Sequence, residues 1–219
     1  MYHGNHLAEK LRASSLGAEN SLFLRNHQTG EEVTYQAFFA NAERMAQALV
    51  AAGVKPGDRV AVQAPKTQAM LELYVATVLA GAVFLPLNTA YTAAEITYFL
   101  TDAEPRIFVC DPNCEDELSA VAKDAGVAEV LTIGADEGGS LPERRDAAAP
   151  GFTPVPRGPD DLAAILYTSG TTGRSKGAML THQALASNAL TLKESWHFSA
   201  DDVLIHALPI FHTHGLFVA

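Results

Sequence analysis

A strand-like apolar segment leads directly into a loop of small, hydroxylated and cationic residues. Residues 162–166 read L-A-A-I-L, and residues 167–177 read Y-T-S-G-T-T-G-R-S-K-G. Glycine allows positive φ and close backbone approach, so several N–H groups can converge on one anion, and the hydroxyls add donors. Arg174 and Lys176 add positive charge. A surface turn is the ordinary alternative for a Gly/Ser/Thr cluster, but it leaves the two flanking apolar segments and the paired cations unexplained. The pattern predicts a phosphate-binding loop.

Two common glycine-rich nucleotide motifs do not fit this loop. The Walker A motif needs a lysine directly after its second glycine and a hydroxyl directly after that lysine. Here Lys176 comes three residues after Gly173, and Gly177 stands where the hydroxyl would be. The dinucleotide fingerprint fails as well, because Thr172 occupies the position of its second glycine.

The loop is similar instead to the Y-T-S-G-T-T-G-x-x-K-G signature of the adenylate-forming enzymes, which include acyl-CoA synthetases, luciferases and peptide-synthetase adenylation domains. Residues 79–88, L-A-G-A-V-F-L-P-L-N, resemble the upstream core motif of that superfamily. Residues 209–215, P-I-F-H-T-H-G, resemble its histidine-containing motif. Within the superfamily, residues 88–92, 101–105 and 206–219 are most similar to malonyl-CoA synthetases.

This resemblance implies a two-step reaction with ATP, Mg²⁺ and coenzyme A. A carboxylate, here malonate-like, attacks the α-phosphorus of ATP to give an acyl-adenylate and pyrophosphate, and a thiol then displaces AMP. The resemblance assigns the β- and γ-phosphates to the loop, with these cofactor-binding residues: Thr168, Ser169, Gly170, Thr171, Thr172, Gly173 and Lys176. It places the acidic Mg²⁺ ligand, the adenine and ribose contacts and a catalytic lysine beyond residue 219. The isolated chain is therefore expected to be inactive.

His212 and His214 are the candidate histidines. By position, His212 matches the family residue beside the α-phosphate and the acyl and thiol tunnel, and His214 sits where side chains line the acyl pocket. Side chains two residues apart point to opposite sides of a strand, or diverge by about 200° on a helix, so joint metal ligation by this pair is not expected. The alternative for each is a capping or solvent-facing histidine. The other six histidines and Trp196 have no comparable context.

Composition excludes several classes of protein. The chain has 219 residues, 48% hydrophobic and 18% charged, and a formal net charge of −10. An acidic chain lacks the basic face that nucleic acid requires, and no apolar run reaches the roughly 18 residues of a membrane helix. The first residues, M-Y-H-G-N-H, lack the layout of a signal peptide, so the cytoplasm is expected. Cys110 and Cys114 fit neither a redox pair nor a zinc set, and they are interpreted as ordinary thiols.

The apolar pattern alternates between strand and helix lengths, which predicts an α/β fold with layered parallel or mixed sheets flanked by helices. The resemblance makes this the incomplete N-terminal domain of the adenylate-forming superfamily. Strands are expected at residues 21–25, 32–34, 59–63, 83–87, 107–110, 130–133, 161–167, 177–181 and 203–207. Helices are expected after Thr34, at about 115–125 and at 181–196, with one ending at Gly81 and another beginning near the C-terminus.

Residues 134–158 contain four prolines and a Gly-Gly pair. This composition predicts an irregular connection between a first subdomain, residues 1–158, and the start of a second, residues 159–219. The run of residues 215–219 is apolar, and we expect the surface between Val203 and Ala219 to mediate self-association. A non-catalytic phosphate-binding module and an interaction fragment remain as alternative functions.

Overall fold

The computed structural model describes residues 3–168 and 174–218. Its strands are β1 (Leu22–Arg25), β2 (Glu32–Thr34), β3 (Arg59–Gln63), β4 (Val83–Pro86), β5 (Ile107–Cys110), β6 (Glu129–Thr132), β7 (Leu162–Thr168) and β8 (Lys176–Thr181). Its helices are α1 (His6–Ala13), α2 (Tyr35–Ala51), α3 (Gln68–Leu79), α4 (Ala93–Ala103), α5 (Glu115–Asp124), α6 (Ser140–Ala147) and α7 (His182–Ser195). Short helical turns occupy Pro112–Cys114 and His214–Val218, the latter of π type.

The main sheet has six strands in the order β6-β5-β3-β4-β7-β8. All neighbouring pairs are parallel except the last, because β8 returns antiparallel to β7. The predicted α/β class and mixed sheet are therefore confirmed. Strand β7 joins β4 through the pair Phe84 and Ala164, so strands from both sides of residues 134–158 share one sheet. The division of the chain at residue 158 stays a prediction.

Helices cover both faces of the sheet. On one face, α2, α3, α6 and α7 pack against alternate strand residues such as Val60 and Val62. On the other face, α4 and α5 pack against the intervening residues, among them Ala61 and Phe108. This alternation follows from the period of two along a strand, and it makes β3 apolar on both sides. Along β3, Val60, Ala61 and Val62 are fully buried.

Helix α2 shows how the sequence sets local structure. Oγ1 of Thr34 accepts a hydrogen bond from the N–H of Ala37 at 3.2 Å, which caps the first turn as predicted. The buried face carries the residues expected from helical spacing: Phe38, Ala42, Met45 and Leu49. After the helix, Gly53 adopts a φ of 86°, a left-handed conformation that favours glycine. The hairpin of β1 and β2 is confirmed too.

Two expectations about secondary structure were wrong. The segment 134–158 was predicted to be irregular, but it contains α6, whose Leu141 is fully buried. Residues 203–207 were predicted to form a strand, but they have no regular structure, and Val203 and Ile205 are 90% and 89% exposed. A strand requires a hydrogen-bonding neighbour, and within residues 3–168 and 174–218 none pairs with this segment.

No helix in the described part of the chain combines the length and the hydropathy needed to cross a lipid bilayer.

Candidate functional site

The predicted phosphate-binding loop is held between β7 and β8. The two strands form an antiparallel hairpin, and Thr168 and Lys176 are the last pair before the connecting loop. Both of these predicted site residues are exposed, so the structure brings a hydroxyl and an ammonium group together at the mouth of the hairpin. The remaining loop residues of the prediction lie outside the described residues: Ser169, Gly170, Thr171, Thr172 and Gly173.

Gly177 lies in β8, in agreement with the strand predicted at residues 177–181, and it does not have the positive φ that glycine allows. A Cβ atom at this position would come within 2.9 Å of Cγ2 of Ile165 and 3.5 Å of Cζ of Tyr167. The residue therefore allows close cross-strand packing rather than a special backbone conformation.

Helix α4 contacts both ends of the loop. The hydroxyl of Tyr98 donates to the carbonyl oxygen of Ser175 at 2.8 Å, and the hydroxyl of Tyr167 donates to Oδ2 of Asp102 at 2.5 Å. Burial, and then the hydrogen bond to the Asp102 carboxylate, raise the pKa of the Tyr167 hydroxyl, which stays protonated as a donor. The sequence pointed to Asp102 only as part of the family resemblance of residues 101–105, and it did not predict a contact between Tyr98 and the loop.

His212 and His214 lie on an exposed turn. The N–H of His212 donates to the carbonyl of Pro209 at 3.3 Å, and the carbonyl of His212 accepts from the N–H of Leu216 at 3.0 Å. The two imidazole rings are 6.2 Å apart between centroids with an interplanar angle of 29°. The expected divergence of these side chains was wrong, because the chain here is neither strand nor α-helix. No hydrogen bond or ion pair among the described residues links this pair to Thr168 or Lys176.

Several contacts fix the backbone of the histidine turn. Nε2 of His206 lies 2.6 Å from the carbonyl oxygen of Gly215. A Cβ atom on Gly215 would collide with the carbonyl oxygen of Pro209. Nζ of Lys66 donates to the carbonyls of His206 and Leu208 at 2.6 and 2.8 Å. Partial burial lowers the pKa of the Lys66 ammonium group. The histidine rings thus project from a turn that is attached to the segment after β3.

A cleft of about 460 Å³ opens where the chain leaves β3 and β5. Strands β3 and β5 are adjacent, and the helices that follow them, α3 and α5, pack on opposite faces of the sheet. The carboxyl ends of these two strands are therefore a topological switch point. The lining of the cleft includes Asp111 and Glu117 but no lysine or arginine. A polyphosphate therefore fits the hairpin mouth better than this cleft.

The described residues form no metal site. Within residues 3–168 and 174–218, no group of three or more His, Cys, Asp or Glu side chains could hold an ion. The family resemblance placed the acidic Mg²⁺ ligand beyond residue 219, and the described residues offer no cluster of this kind for it. Cys110 is buried, and its surroundings raise the pKa of the thiol to about 12, chiefly by desolvation, whereas Cys114 is exposed.

Several solved structures share this architecture. The crystal structure of ATP-bound MatB from Rhodopseudomonas palustris, a malonyl-CoA synthetase, is 53% identical and superposes with a TM-score of 0.92 over 100% of this chain and 42% of that chain. A long-chain-fatty-acid-CoA ligase from Archaeoglobus fulgidus is 27% identical, with a TM-score of 0.87 over 100% of this chain and 45% of that chain.

The names of the curated relatives refer to several different substrates. Feruloyl-CoA synthase of Amycolatopsis sp. is 36% identical over 85% of this chain and 36% of its own length. Oxalate–CoA ligase of Arabidopsis thaliana is 35% identical over 80% of this chain and 35% of its own length. This chain therefore spans little more than a third of the length of these relatives.

The AMP-binding enzyme model matches residues 13–219, which include every element after α1. The hairpin at the phosphate-binding loop, the α/β sheet behind it and the histidine turn all fall inside this match. The chain therefore belongs to the family of AMP-binding enzymes.

Proposed function

We propose that this chain is the phosphate-holding part of a malonyl-CoA synthetase or of a ligase for a related short dicarboxylate. The observation that carries the proposal is the hairpin of β7 and β8, which presents Thr168 and Lys176 at the mouth of the loop. The similarity to MatB at 53% identity supports malonate, whereas the relatives named for ferulate and oxalate support only the ligase class.

In the first step, a carboxylate oxygen attacks the α-phosphorus of ATP, and pyrophosphate leaves. A carboxylate is a weak nucleophile, so this step depends on alignment and on donors placed around the phosphates. The ammonium group of Lys176 and the hydroxyl of Thr168 would contact the β- and γ-phosphates, together with the loop residues 169–173. Lys176 would then stabilise the charge that builds up on the departing pyrophosphate.

In the second step, the thiol of coenzyme A attacks the acyl carbon, and AMP leaves. We propose that His212 acts beside the α-phosphate and the reacting acyl group, and that His214 lines the acyl pocket. Their exposed rings and the hydrogen-bonded turn beneath them suit groups that meet a substrate. In the complete ligase Mg²⁺ would neutralise phosphate charge, but no residue described in this chain is assigned to it.

We propose that the isolated chain binds phosphates without completing the reaction, and that the ligase is cytoplasmic. The chain covers 42% of MatB, so more than half of such an enzyme lies outside it.

The test uses a full-length ligase that contains this chain. Lys176→Ala should slow formation of the acyl-adenylate from malonate and ATP by about 100-fold, because one charged group at the leaving phosphate is lost. Release of AMP from preformed malonyl-adenylate with coenzyme A should change by less than about threefold, because pyrophosphate has already left.

Lys193→Ala is the matched control, since this lysine is also exposed but belongs to α7 and not to the predicted phosphate-binding loop. Equal losses of rate in both half-reactions would contradict the role of Lys176. Absence of malonate-dependent pyrophosphate exchange in the unchanged ligase would contradict malonate as the substrate, and no exchange with any carboxylate would favour a non-catalytic module.

A further inference from the structure

Two residues on one face of α4 touch the two residues that bracket the phosphate-binding loop. Tyr98 and Asp102 are four residues apart, so they lie on the same side of the helix. Tyr98 binds the carbonyl of Ser175, on the β8 side of the loop, and Asp102 binds the hydroxyl of Tyr167, on the β7 side. A single helix therefore restrains both ends of the loop.

Aromatic packing holds this face of α4 against the hairpin. The rings of Phe99 and Tyr167 are 4.6 Å apart between centroids, and those of Tyr98 and Tyr167 are 6.3 Å apart in an edge-to-face arrangement. Phe99 is buried in the core between α4 and the sheet. The hydroxyl groups of both tyrosines thus extend from rings whose positions are fixed by packing.

The hairpin alone gives weaker control of the loop. Within the described residues, β8 lies at the edge of the sheet and has β7 as its only strand partner. At the loop end its ladder finishes with the pair Thr168 and Lys176, both exposed. An edge strand with one partner frays more easily than a central strand, so a second restraint at Ser175 limits movement of the Lys176 backbone.

We propose that Tyr98 and Asp102 are positioning residues that clamp the two ends of the phosphate-binding loop and thereby increase its affinity for polyphosphate. Polar groups on a backbone that is already fixed lose less conformational freedom when they bind an anion, and Thr168 and Lys176 directly follow Tyr167 and Ser175. Neither residue belongs to the loop motif, and neither is expected to touch the ligand. This inference rests on the proposed function of the loop.

The binding test uses isothermal titration of the chain with tripolyphosphate, a ligand without base or ribose. Tyr98→Phe keeps the ring but removes the donor, and Asp102→Ala removes the acceptor for Tyr167. Each should raise the dissociation constant about three- to tenfold, as expected for the loss of one hydrogen bond. Asp102→Asn retains an acceptor oxygen and should stay within about twofold of the unchanged chain.

Hydrogen exchange of the free chain gives a readout that does not depend on ligand. Backbone amides of residues 174–177 should exchange faster in Tyr98→Phe and Asp102→Ala, while amides of β3 and β5 stay unchanged. Tyr91→Phe is the control, because its ring packs on Phe99 and its hydroxyl makes no hydrogen bond to another described residue.

The two readouts separate the clamp from the function of the loop. If the unchanged chain does not bind tripolyphosphate, the proposed function fails in this chain, and so does the effect of the clamp on affinity. Unchanged exchange at residues 174–177 in both clamp variants would overturn the clamp itself. Faster exchange throughout the sheet, or equal effects in Tyr91→Phe, would show general destabilisation and would also overturn it.

Discussion

The guanidinium Nη1 of Arg145 lies 2.7 Å from Oε2 of Glu72, a carboxylate with no solvent exposure in the middle of α3. The other oxygen of Glu72 accepts hydrogen bonds from Asn41 at 2.9 Å and Gln68 at 2.7 Å. A buried carboxylate is tolerated only when its charge and its acceptor sites are satisfied, as they are here. The ion pair also joins α6 to α3 beneath the sheet.

Arg145→Met should destabilise the protein by about 3 kcal/mol, because it leaves the buried Glu72 carboxylate without its counter-ion. Arg144→Met is the matched control. Its guanidinium pairs with Glu129 at 2.6 Å but is 44% exposed, so its loss should cost less than about 1 kcal/mol. Urea unfolding of the three proteins measures the difference. Equal destabilisation by both substitutions would show that Glu72 does not depend on its partner.

His182 should make the protein less stable as the pH falls from 6.5 to 4. Its side chain is fully buried, and desolvation, followed by the charge of Arg157, lowers the pKa of the imidazole to about 4. Below pH 6.5 the unfolded chain binds a proton that the folded chain rejects, so unfolding is favoured. Below pH 4 both states are protonated and this contribution stops changing. The loss attributable to His182 is at most about 3 kcal/mol.

The slope of unfolding free energy against pH tests this prediction. His182→Asn retains an acceptor for the N–H of Leu7, which now binds Nδ1 of His182 at 3.3 Å, and it should flatten the slope between pH 6.5 and 4. His27→Asn, in the exposed turn between β1 and β2, should leave the slope unchanged. A parallel slope in His182→Asn and the unchanged protein would mean that the buried imidazole titrates normally.

The isolated chain should bind ATP no more than about threefold more tightly than tripolyphosphate. The residues proposed to bind ATP would contact its phosphates only. Each tenfold increase in affinity requires about 1.4 kcal/mol of additional binding free energy. Isothermal titration at constant ionic strength compares the two ligands. A far stronger affinity for ATP would require a base-binding site within this chain.

The chain should self-associate through the apolar segment that follows α7. Val203, Leu204, Ile205 and Leu208 are between 44% and 90% exposed, which is unusual for neighbouring large apolar side chains. Size-exclusion chromatography with light scattering should show dimers or larger species at tens of micromolar. Val203→Ser combined with Ile205→Ser should shift the protein toward 23.3 kDa monomers. A monodisperse monomer without these substitutions would contradict the prediction.

Local sequence signals predicted the elements that depend on neighbours in the chain. The Thr34 cap, the helical spacing of Phe38, Ala42 and Met45, and the return of β8 after the phosphate-binding loop all involve short separations. These elements were predictable because propensity and pattern agreed. The roles that the family resemblance gives to the loop and to the histidine turn stay predictions.

Features that depend on distant partners were not predictable in this way. The apolar residues at 203–207 have strand-like composition, yet no described strand pairs with them. Helix α6 was missed because prolines suggested irregular structure, although Pro142 lies in its first turn, where proline is tolerated. Nothing in the sequence around Tyr98 indicates that its hydroxyl reaches Ser175, 77 residues away.

Because β8 runs antiparallel to β7, the two ends of these strands have different neighbours. Thr181 pairs with Leu162, so α7 starts at the strand ends opposite the phosphate-binding loop, where Nδ1 of His182 accepts a hydrogen bond from the N–H of Leu7 in α1. Asn5 ties the same region to the end of α3 through the carbonyl of Val78. The residues that close the fold are thus physically remote from those that would meet the nucleotide. Substitutions at the loop end of β7 and β8 are therefore separated along the strands from the contacts through which Asn5 and His182 hold the fold together.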